Sequence, residues 1–325
     1  MAMGSVVFRR AGVAIAGSLL LILSSCKPAP PTVAVIPRAC GTALWEPAHA
    51  GAEEVARAHG MTVYWNAPTL SNDVQKQIGL LERIVRKRYR GIVLAPDETL
   101  ALRTPVQQVL AKHIPIVVVG TELGIEPDHN LSYVLNDEVS GGQLAARRLG
   151  EILGGEGSVA VLGLDPKLWS LTLRERSFEE TLASEFPHIN VVARRLGQAG
   201  VAQEQEVAEE LLQSGITPSA IVALSADATR GAYYALVEFK QTVAIKLIGF
   251  DQDLVPPIRN GGLDSVIVQN SYKIGRLAME QIYRRLRGET ISEKTLVEPE
   301  LLTRDNIDSD AMHQIFTAHW WQGNE

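Results

Sequence analysis

Short and nearly continuous apolar runs recur along most of the chain, and many of their residues are β-branched. The runs lie at Thr32–Ile36, Met61–Trp65, Gly91–Ala95, Pro115–Gly120, Ser158–Leu162, Ile189–Ala193, Ala220–Leu224, Lys246–Phe250 and Asp264–Gln269. Strands that are buried on both faces have this pattern, because helices cover both sides of a parallel sheet. The runs therefore predict parallel strands in an α/β fold.

The segments between these runs have the periodicity and the end signals of helices. Pro47 stands where a proline at the first helical position would stand, and Gly60 provides a stop signal for the same helix. An apolar stripe from Val74 to Val85 indicates a second helix. The same periodicity recurs at Gly142–Leu153, Leu173–Ala183, Glu204–Leu212, Thr229–Phe239 and Ile274–Leu286. Alternating strands and helices predict right-handed crossovers and open parallel sheets.

The length of the chain favours two such sheets. About 295 residues follow the start of the first apolar run, which is more than a single hydrophobic core usually holds. We therefore expect an α/β protein with two doubly wound parallel-sheet lobes. Ligands of open parallel sheets bind beyond the carboxyl ends of the strands, so the loops that follow the strands are where a site is expected.

The N-terminus has the features of an export signal. Arg9 and Arg10 precede an uncharged stretch from Ala11 to Leu23, which is too short to span a bilayer comfortably. The following Ser24-Ser25-Cys26, together with Leu23, resembles the lipobox of bacterial lipoproteins. That resemblance implies cleavage before Cys26 and diacylation of its sulfur. An ordinary signal peptide with an incidental cysteine is the alternative.

These features predict a signal peptide at residues 1–25 and a lipidated Cys26 with a proline-rich tether at residues 26–31. The tether, Lys27-Pro28-Ala29-Pro30-Pro31, cannot form a helix. No later segment has the roughly 18 consecutive apolar residues of a membrane span. We therefore expect an exported protein, anchored by lipid to the cell membrane and facing the periplasm or the cell exterior.

Charge and cysteine content narrow the possible partners. Loss of the leader leaves 29 basic residues against 37 acidic ones, a formal net charge of −8. Such an acidic balance argues against nucleic acid as a partner. The only other cysteine is Cys40, so we expect a small buried thiol there, with neither a disulfide framework nor a thiolate metal site.

The motifs of common enzymes are absent from the sequence. The loop after the first predicted strand, Pro37–Thr42, lacks the Gly-x-Gly-x-x-Gly pattern of dinucleotide enzymes. No Gly-x-Ser-x-Gly elbow and no His-Glu-x-x-His zinc motif occurs. We therefore predict a protein that is not an enzyme and that needs no cofactor and no metal.

Polar and aromatic side chains follow several of the predicted strands. Trp45 follows the first strand, Arg174 the fifth, Asp251 the eighth and Gln269 the ninth. Planar amide, carboxylate and guanidinium groups can each bind two adjacent hydroxyls, and an indole can cover the apolar face of a sugar ring. Taken singly, Trp45 could be a packing residue, Arg174 part of a solvated helix start, Asp251 a helix cap and Gln269 a hinge residue.

Three motifs together resemble one protein family. They are Gly249-Phe250-Asp251, Ser265–Gln269 followed by Ile274-Gly275, and Arg174-Glu175-Arg176. The chain resembles, from Thr32 to about Leu302, the periplasmic sugar-binding proteins of the ribose- and galactose-binding type. The resemblance implies the type I periplasmic binding protein fold, with two lobes joined by a three-crossover hinge.

The resemblance also implies which side chains contact the ligand. At the positions that contact ligand in the family, this chain has Trp45, Arg174, Asp251 and Gln269. Thr121 and Ser225 are expected contacts at two further positions, where this chain departs from the family. Gly120-Thr121 replaces an aspartate-arginine pair, and Ser225-Ala226-Asp227 replaces an asparagine-aspartate pair. The scaffold and one side of the cleft are thus kept, whereas the first lobe has lost charged groups.

The implied lobes comprise residues 32–136 with 270–297, and residues 138–269 with 298–325. A ligand that contacts both lobes stabilises the closed form by its differential affinity for that form. The expected role is capture of a sugar or related polyol by a monomer and its delivery to the permease of an ABC transporter. A binding protein that reports its ligand to a membrane sensor kinase is the alternative. A repressor effector domain shares the fold but would follow a DNA-binding helix-turn-helix.

Overall fold

The computed structural model describes residues 1, 29–42, 44–70, 72–87, 89–198, 200–250, 254–310, 312 and 315. Within them, strands and helices alternate along the chain, as the apolar pattern predicts. The strands are β1 (Thr32–Ile36), β2 (Thr62–Trp65), β3 (Gly91–Leu94), β4 (Ile116–Val119), β5 (Leu131–Asn136), β6 (Glu156–Leu164), β7 (His188–Leu196), β8 (Ala220–Ala223), β9 (Lys246–Gly249), β10 (Ser265–Val268), β11 (Lys294–Val297) and β12 (Glu300–Thr303). The helices are α1 (Glu46–Ala58), α2 (Val74–Lys87), α3 (Arg103–Leu110), α4 (Glu138–Leu153), α5 (Trp169–Glu185), α6 (Val201–Gln213), α7 (Ala226–Glu238), α8 (Val255–Asn260) and α9 (Ser271–Leu286).

The first lobe is built on a parallel sheet with the strand order β11-β5-β4-β3-β1-β2. Alternate residues of one strand enter different cores, because the sheet is covered on both faces. Val33 of β1 packs with residues of α1 and α9, whereas Ala34 packs with residues of α2 and α3. This two-sided burial explains why the strands read as nearly continuous apolar runs.

The second lobe repeats this plan with the strand order β12-β10-β9-β8-β6-β7. Helices α4 and α5 cover one face of its sheet, and α6, α7 and α8 cover the other. The edge strand β12 pairs antiparallel to β10, and the other pairs are parallel. The chain crosses between the two sheets after β5, after β10 and between β11 and β12.

The apolar pattern misses three strands and two short helices, α3 and the six-residue α8. Strand β5 contains the fully buried Ser132, whose hydroxyl donates to Gln281 Oε1 at 2.7 Å, so a satisfied polar pair interrupts the apolar run. The edge strands β11 and β12 have mixed exposure, and α3 has only eight residues with Pro105 in its first turn.

The expectation of a buried thiol is wrong, because Cys40 is exposed.

Candidate functional site

A cleft lies between the carboxyl ends of the two sheets. It contains about 800 Å³ of space free of protein atoms and is partly open to solvent. Both lobes and all the loops that follow β1, β3, β4, β6, β8 and β10 contribute to its walls. Its lining includes Arg38, Leu44, Trp45, Pro96, Gly120, Thr121, Asn136, Glu138, Leu168, Ser170, Arg174, Ser225, Phe250, Gln269 and Ser271. The cleft lies where ligands of open parallel sheets bind.

The indole of Trp45 forms part of the wall contributed by the first lobe. Trp45 precedes α1 directly, and its amide donates to the carbonyl of Thr42 at 3.1 Å. A Cβ atom at Gly120 would lie 3.3 Å from the ring, and Gly120 has φ of +81°. Both the close approach and the left-handed backbone favour glycine at this position. A side chain at position 120 would therefore be strained and in tight contact with the indole.

A buried ion pair forms the floor of the cleft. Arg174 and Glu138 are 4% and 7% exposed, and Nε and Nη2 of Arg174 lie 2.8 and 2.5 Å from Glu138 Oε2. The Arg174 guanidinium also donates through Nη1 to the carbonyl of Leu224 and lies 4.0 Å above the ring of Phe250. Gln269 adds a hydrogen bond from Nε2 to Glu138 Oε1 at 3.3 Å. The guanidinium is therefore already held on several sides by the protein.

Close packing of α4 against α5 places these two charges side by side. A Cβ atom at Gly142 of α4 would lie 2.0 Å from the hydroxyl of Ser177 and 2.4 Å from the carbonyl of Arg174 on α5. Only glycine permits so close an approach of the two helices. The start of α4, where Asp137 caps the helix and Glu138 follows, thereby lies next to the first turns of α5.

Neighbouring side chains partly offset the cost of burying the Glu138 carboxylate in the floor. Burial raises the pKa of the Glu138 carboxyl, and the Arg174 guanidinium and the side chain of Asn136 oppose that rise. Asn136 Oδ1 is buried and has no hydrogen-bond partner in the part of the chain that the structure describes. An unpaired buried acceptor costs about 1–3 kcal/mol. Asn136 thus brings an unsatisfied acceptor to the lining of the cleft.

The two lobes contact each other at the mouth of the cleft. The first amides of α5 have no side-chain cap from their own lobe. Instead, the amide of Trp169 donates to Thr99 Oγ1 and the amide of Ser170 donates to Thr121 Oγ1, both at 3.1 Å. The amide of Thr99 in turn donates to the carbonyl of Lys167 at 2.9 Å. The structure is thus a closed arrangement in which one lobe caps a helix of the other.

The structure brings most of the predicted contact residues into this one cleft. Trp45, Thr121, Arg174, Ser225 and Gln269 all line it. Ser225 also caps α7, because its hydroxyl accepts from the amide of Ala228 at 3.2 Å. Asp251 and Cys26 lie outside the described residues. The role of each of these side chains in ligand contact stays a prediction.

Sequence reasoning missed several side chains of the cleft. Glu138 reads as an ordinary acid in the first turn of a helix, and nothing in the local pattern shows that it is buried. Arg38 follows β1 and reaches Asp97 in the loop after β3, where Nε lies 3.3 Å from Oδ1. Burial raises the pKa of the Asp97 carboxyl, and Arg38 opposes that rise. Position after a strand was the one signal that could have found this pair.

Membrane-spanning helices and metal-binding clusters are both absent from the described residues. None of their helices combines the length and the hydropathy needed to cross a membrane. In the same residues, no group of three or more histidine, cysteine, aspartate or glutamate side chains is placed to hold a metal ion.

Comparisons with known proteins agree with this architecture. The ribose import binding protein of Bacillus subtilis is 26% identical over 251 residues, which are 77% of this chain and 79% of the relative. The xylitol-binding protein of Mycolicibacterium smegmatis is 22% identical over 268 residues, which are 82% of this chain and 75% of the relative.

A solved structure confirms the two-lobe fold. The carbohydrate transporter solute-binding protein of Agrobacterium radiobacter, solved in complex with D-arabinose, superposes with a TM-score of 0.84 at 23% identity. The match covers 89% of this chain and 99% of that one. The family model of the periplasmic binding protein domain matches residues 33–290. The chain therefore belongs to the periplasmic binding protein family.

Proposed function

We propose that this protein is an extracytoplasmic solute-binding protein that captures a sugar or related polyol and delivers it to the permease of an ABC transporter. The observation that carries the proposal is the closed interlobe cleft, in which an indole and several hydrogen-bonding side chains meet. The relatives named above for ribose and xylitol, and the one solved with D-arabinose, support the ligand class.

The lining of the cleft suits a neutral, hydroxyl-rich molecule. The Trp45 indole covers an apolar ring face, and the Thr121 and Ser225 hydroxyls exchange hydrogen bonds with ligand hydroxyls. Gln269 and Asn136 contribute amide groups to the same space. Because Glu138 neutralises Arg174, this buried pair adds no net charge to the described part of the floor and does not require an ionic ligand. Asp251 completes the proposed contact set.

Ligand capture occurs by closure of two lobes about a hinge. We assign residues 32–136 and 270–297 to the first lobe and residues 138–269 and 298–325 to the second. A bound ligand adds contacts to both lobes, so it favours the closed form in which Thr99 and Thr121 cap α5. The closed form presents one composite surface to a permease.

Export and anchoring follow from the N-terminal sequence. Residues 1–25 act as a signal peptide, Cys26 carries the lipid, and residues 26–31 form the tether that keeps the protein at the membrane. The protein acts as a monomer and performs no reaction on its ligand. Retention of radiolabelled palmitate by wild-type protein, and its loss in a Cys26→Ala variant, tests the anchor.

A thermal-shift screen tests the ligand class. The lipid-free protein that begins at Lys27 is mixed with pentoses, hexoses, polyols, amino acids and nucleosides. A ligand present at 100 times its Kd should stabilise the protein by about 2.7 kcal/mol. Stabilisation by a sugar or polyol supports the proposal, whereas stabilisation only by amino acids or nucleosides contradicts it.

A further inference from the structure

A second compartment of the cleft opens beside the first. It contains about 1070 Å³ of space free of protein atoms, a part of which is open to solvent. Both compartments share a wall that includes Trp45, Leu168 and Ser225. The second compartment extends away from the hinge, between the loops after β6 and β7 and the start of α7. A single ligand can therefore occupy both.

One buried carboxylate in this compartment has an unused oxygen. Glu204 on α6 is 3% exposed, and its Oε1 accepts a hydrogen bond from the amide of Gln198 at 2.9 Å. Its Oε2 is buried and has no hydrogen-bond partner among the described residues. A buried carboxylate oxygen without a hydrogen-bond partner has lost its hydration and gained nothing in return. A donor from a ligand would remove this cost.

The backbone beside Glu204 is shaped to admit its carboxylate. A Cβ atom at Gly197 would lie 2.8 Å from Glu204 Oε1 and 3.1 Å from the Cα of Gly163. Glycine at both positions keeps the ends of β6 and β7 free of side chains where the carboxylate reaches the compartment. Gly163 also has φ of +78°, a conformation that favours glycine.

The other charged side chains that line the compartment favour a ligand group that donates a hydrogen bond over one that accepts it. Burial raises the pKa of Glu204 to about 7; the Gln198 amide opposes this rise, and the charges of Asp227 on α7 and Asp165 after β6 add to it. The positive groups that face the compartment are Arg230 on α7, which has its own interactions, and Arg38 from the first lobe, which pairs with Asp97. The acidic side of the compartment thus lies around Glu204.

We propose that the second compartment is a ligand subsite in which Glu204 Oε2 accepts a hydrogen bond from a hydroxyl of a second sugar unit. The ligand class is then a disaccharide or glycoside whose first ring lies beside Trp45 and whose second ring lies beside Glu204. This inference rests on the proposed function, since it assumes a carbohydrate in the first compartment.

Titration calorimetry with matched pairs of sugars tests the subsite. The pairs are D-glucose with maltose and cellobiose, D-galactose with lactose and melibiose, and D-xylose with xylobiose. In wild-type protein, at least one disaccharide should bind about tenfold more tightly than its own monosaccharide unit. Glu204→Gln removes the charge and one acceptor, so it should lower the affinity for that disaccharide about tenfold and leave the monosaccharide affinity unchanged.

Glu210→Gln on the exposed face of α6 is the matched control and should change neither affinity. Monosaccharides that bind as tightly as every disaccharide would overturn the subsite while leaving the proposed function intact. Equal loss of both affinities in Glu204→Gln would also overturn it. Binding of no carbohydrate at all would contradict the proposed function as well. The wild-type affinity ratio decides the proposal even if the variant does not fold.

Discussion

The amide of Ser170 donates a hydrogen bond at 3.1 Å to the hydroxyl of Thr121, and this bond joins the two lobes. Ser170 lies in the first turn of α5, where helix amides lack partners within the helix. A second bond of the same kind joins the amide of Trp169 to Thr99. Opening the cleft breaks both bonds, so capping of α5 contributes to the stability of the closed form.

Removal of the two hydroxyls should weaken ligand binding without unfolding the protein. A helix cap contributes about 1 kcal/mol, so Thr99→Val, which removes a cap but no proposed ligand contact, should lose about fivefold in affinity for a stabilising sugar. The Thr99→Val, Thr121→Val double variant also removes a proposed ligand contact and should lose more. Titration calorimetry measures this loss. Thr104→Val, at an exposed position of α3, is the control and should bind like wild type. Equal affinities of Thr99→Val and wild type would show that this cap does not contribute to closure.

The buried pair of Glu138 and Arg174 should be sensitive to loss of either charge. Glu138→Gln leaves the 4%-exposed Arg174 without its counter-charge, so the free energy of unfolding should fall by about 3–5 kcal/mol. Urea denaturation measures the change. Arg147 and Glu185 join the same two helices at an exposed site, with side chains 52% and 40% exposed, so Glu185→Gln should cause a much smaller loss. Similar losses in the two variants would refute this explanation.

The contact between Gly120 and Trp45 should make position 120 intolerant of a side chain. Gly120→Ala introduces a Cβ at a φ of +81° and 3.3 Å from the indole. Gly41 has a φ of +70° but no atom within 4 Å of its Cβ position, so Gly41→Ala isolates the backbone cost of about 1–2 kcal/mol. Gly120→Ala should destabilise the protein more than Gly41→Ala and change the fluorescence of Trp45. A loss no larger than that of Gly41→Ala would show that the ring adapts freely.

The elevated pKa of Glu204 should make the ligand-free protein less stable as the pH rises. Its carboxyl has a pKa of about 7 in the folded protein and an ordinary value of 4.5 when unfolded. Between these values the unfolded chain releases a proton that the folded protein retains, so stability falls from pH 4.5 to pH 7. Glu204→Gln should remove this penalty and raise stability at pH 8 by about 3 kcal/mol, with little effect at pH 4.5. Parallel stability profiles for the two proteins would contradict the assigned pKa.

Most of the fold could be predicted from the sequence, because both faces of each sheet are buried and the strands therefore read as apolar runs. Strand β5 escaped notice because buried Ser132 is satisfied by Gln281, a partner on α9 that is distant in sequence. The edge strands β11 and β12 bury too little of their length to give an apolar signal.

Less of the site than of the fold could be predicted from the sequence. The position after each strand correctly gathered Trp45, Arg174 and Gln269 around one cleft. The same rule could not show that Glu138 binds Arg174, since that contact depends on the close packing of two helices. Glu204 likewise reads as a helix-surface acid, and only the tertiary structure buries it.

Calorimetric titration of the lipid-free protein with D-ribose, D-allose, D-arabinose, xylitol and the matched disaccharides tests whether the cleft binds a carbohydrate. Carbohydrate capture between the lobes predicts that at least one of these compounds binds at a single site with micromolar or tighter affinity. The Thr99→Val, Thr121→Val variant should then bind that compound more weakly, because the ligand and the α5 caps stabilise the same closed form. Binding of none of these compounds, together with tight binding of an amino acid or nucleoside, would contradict the account.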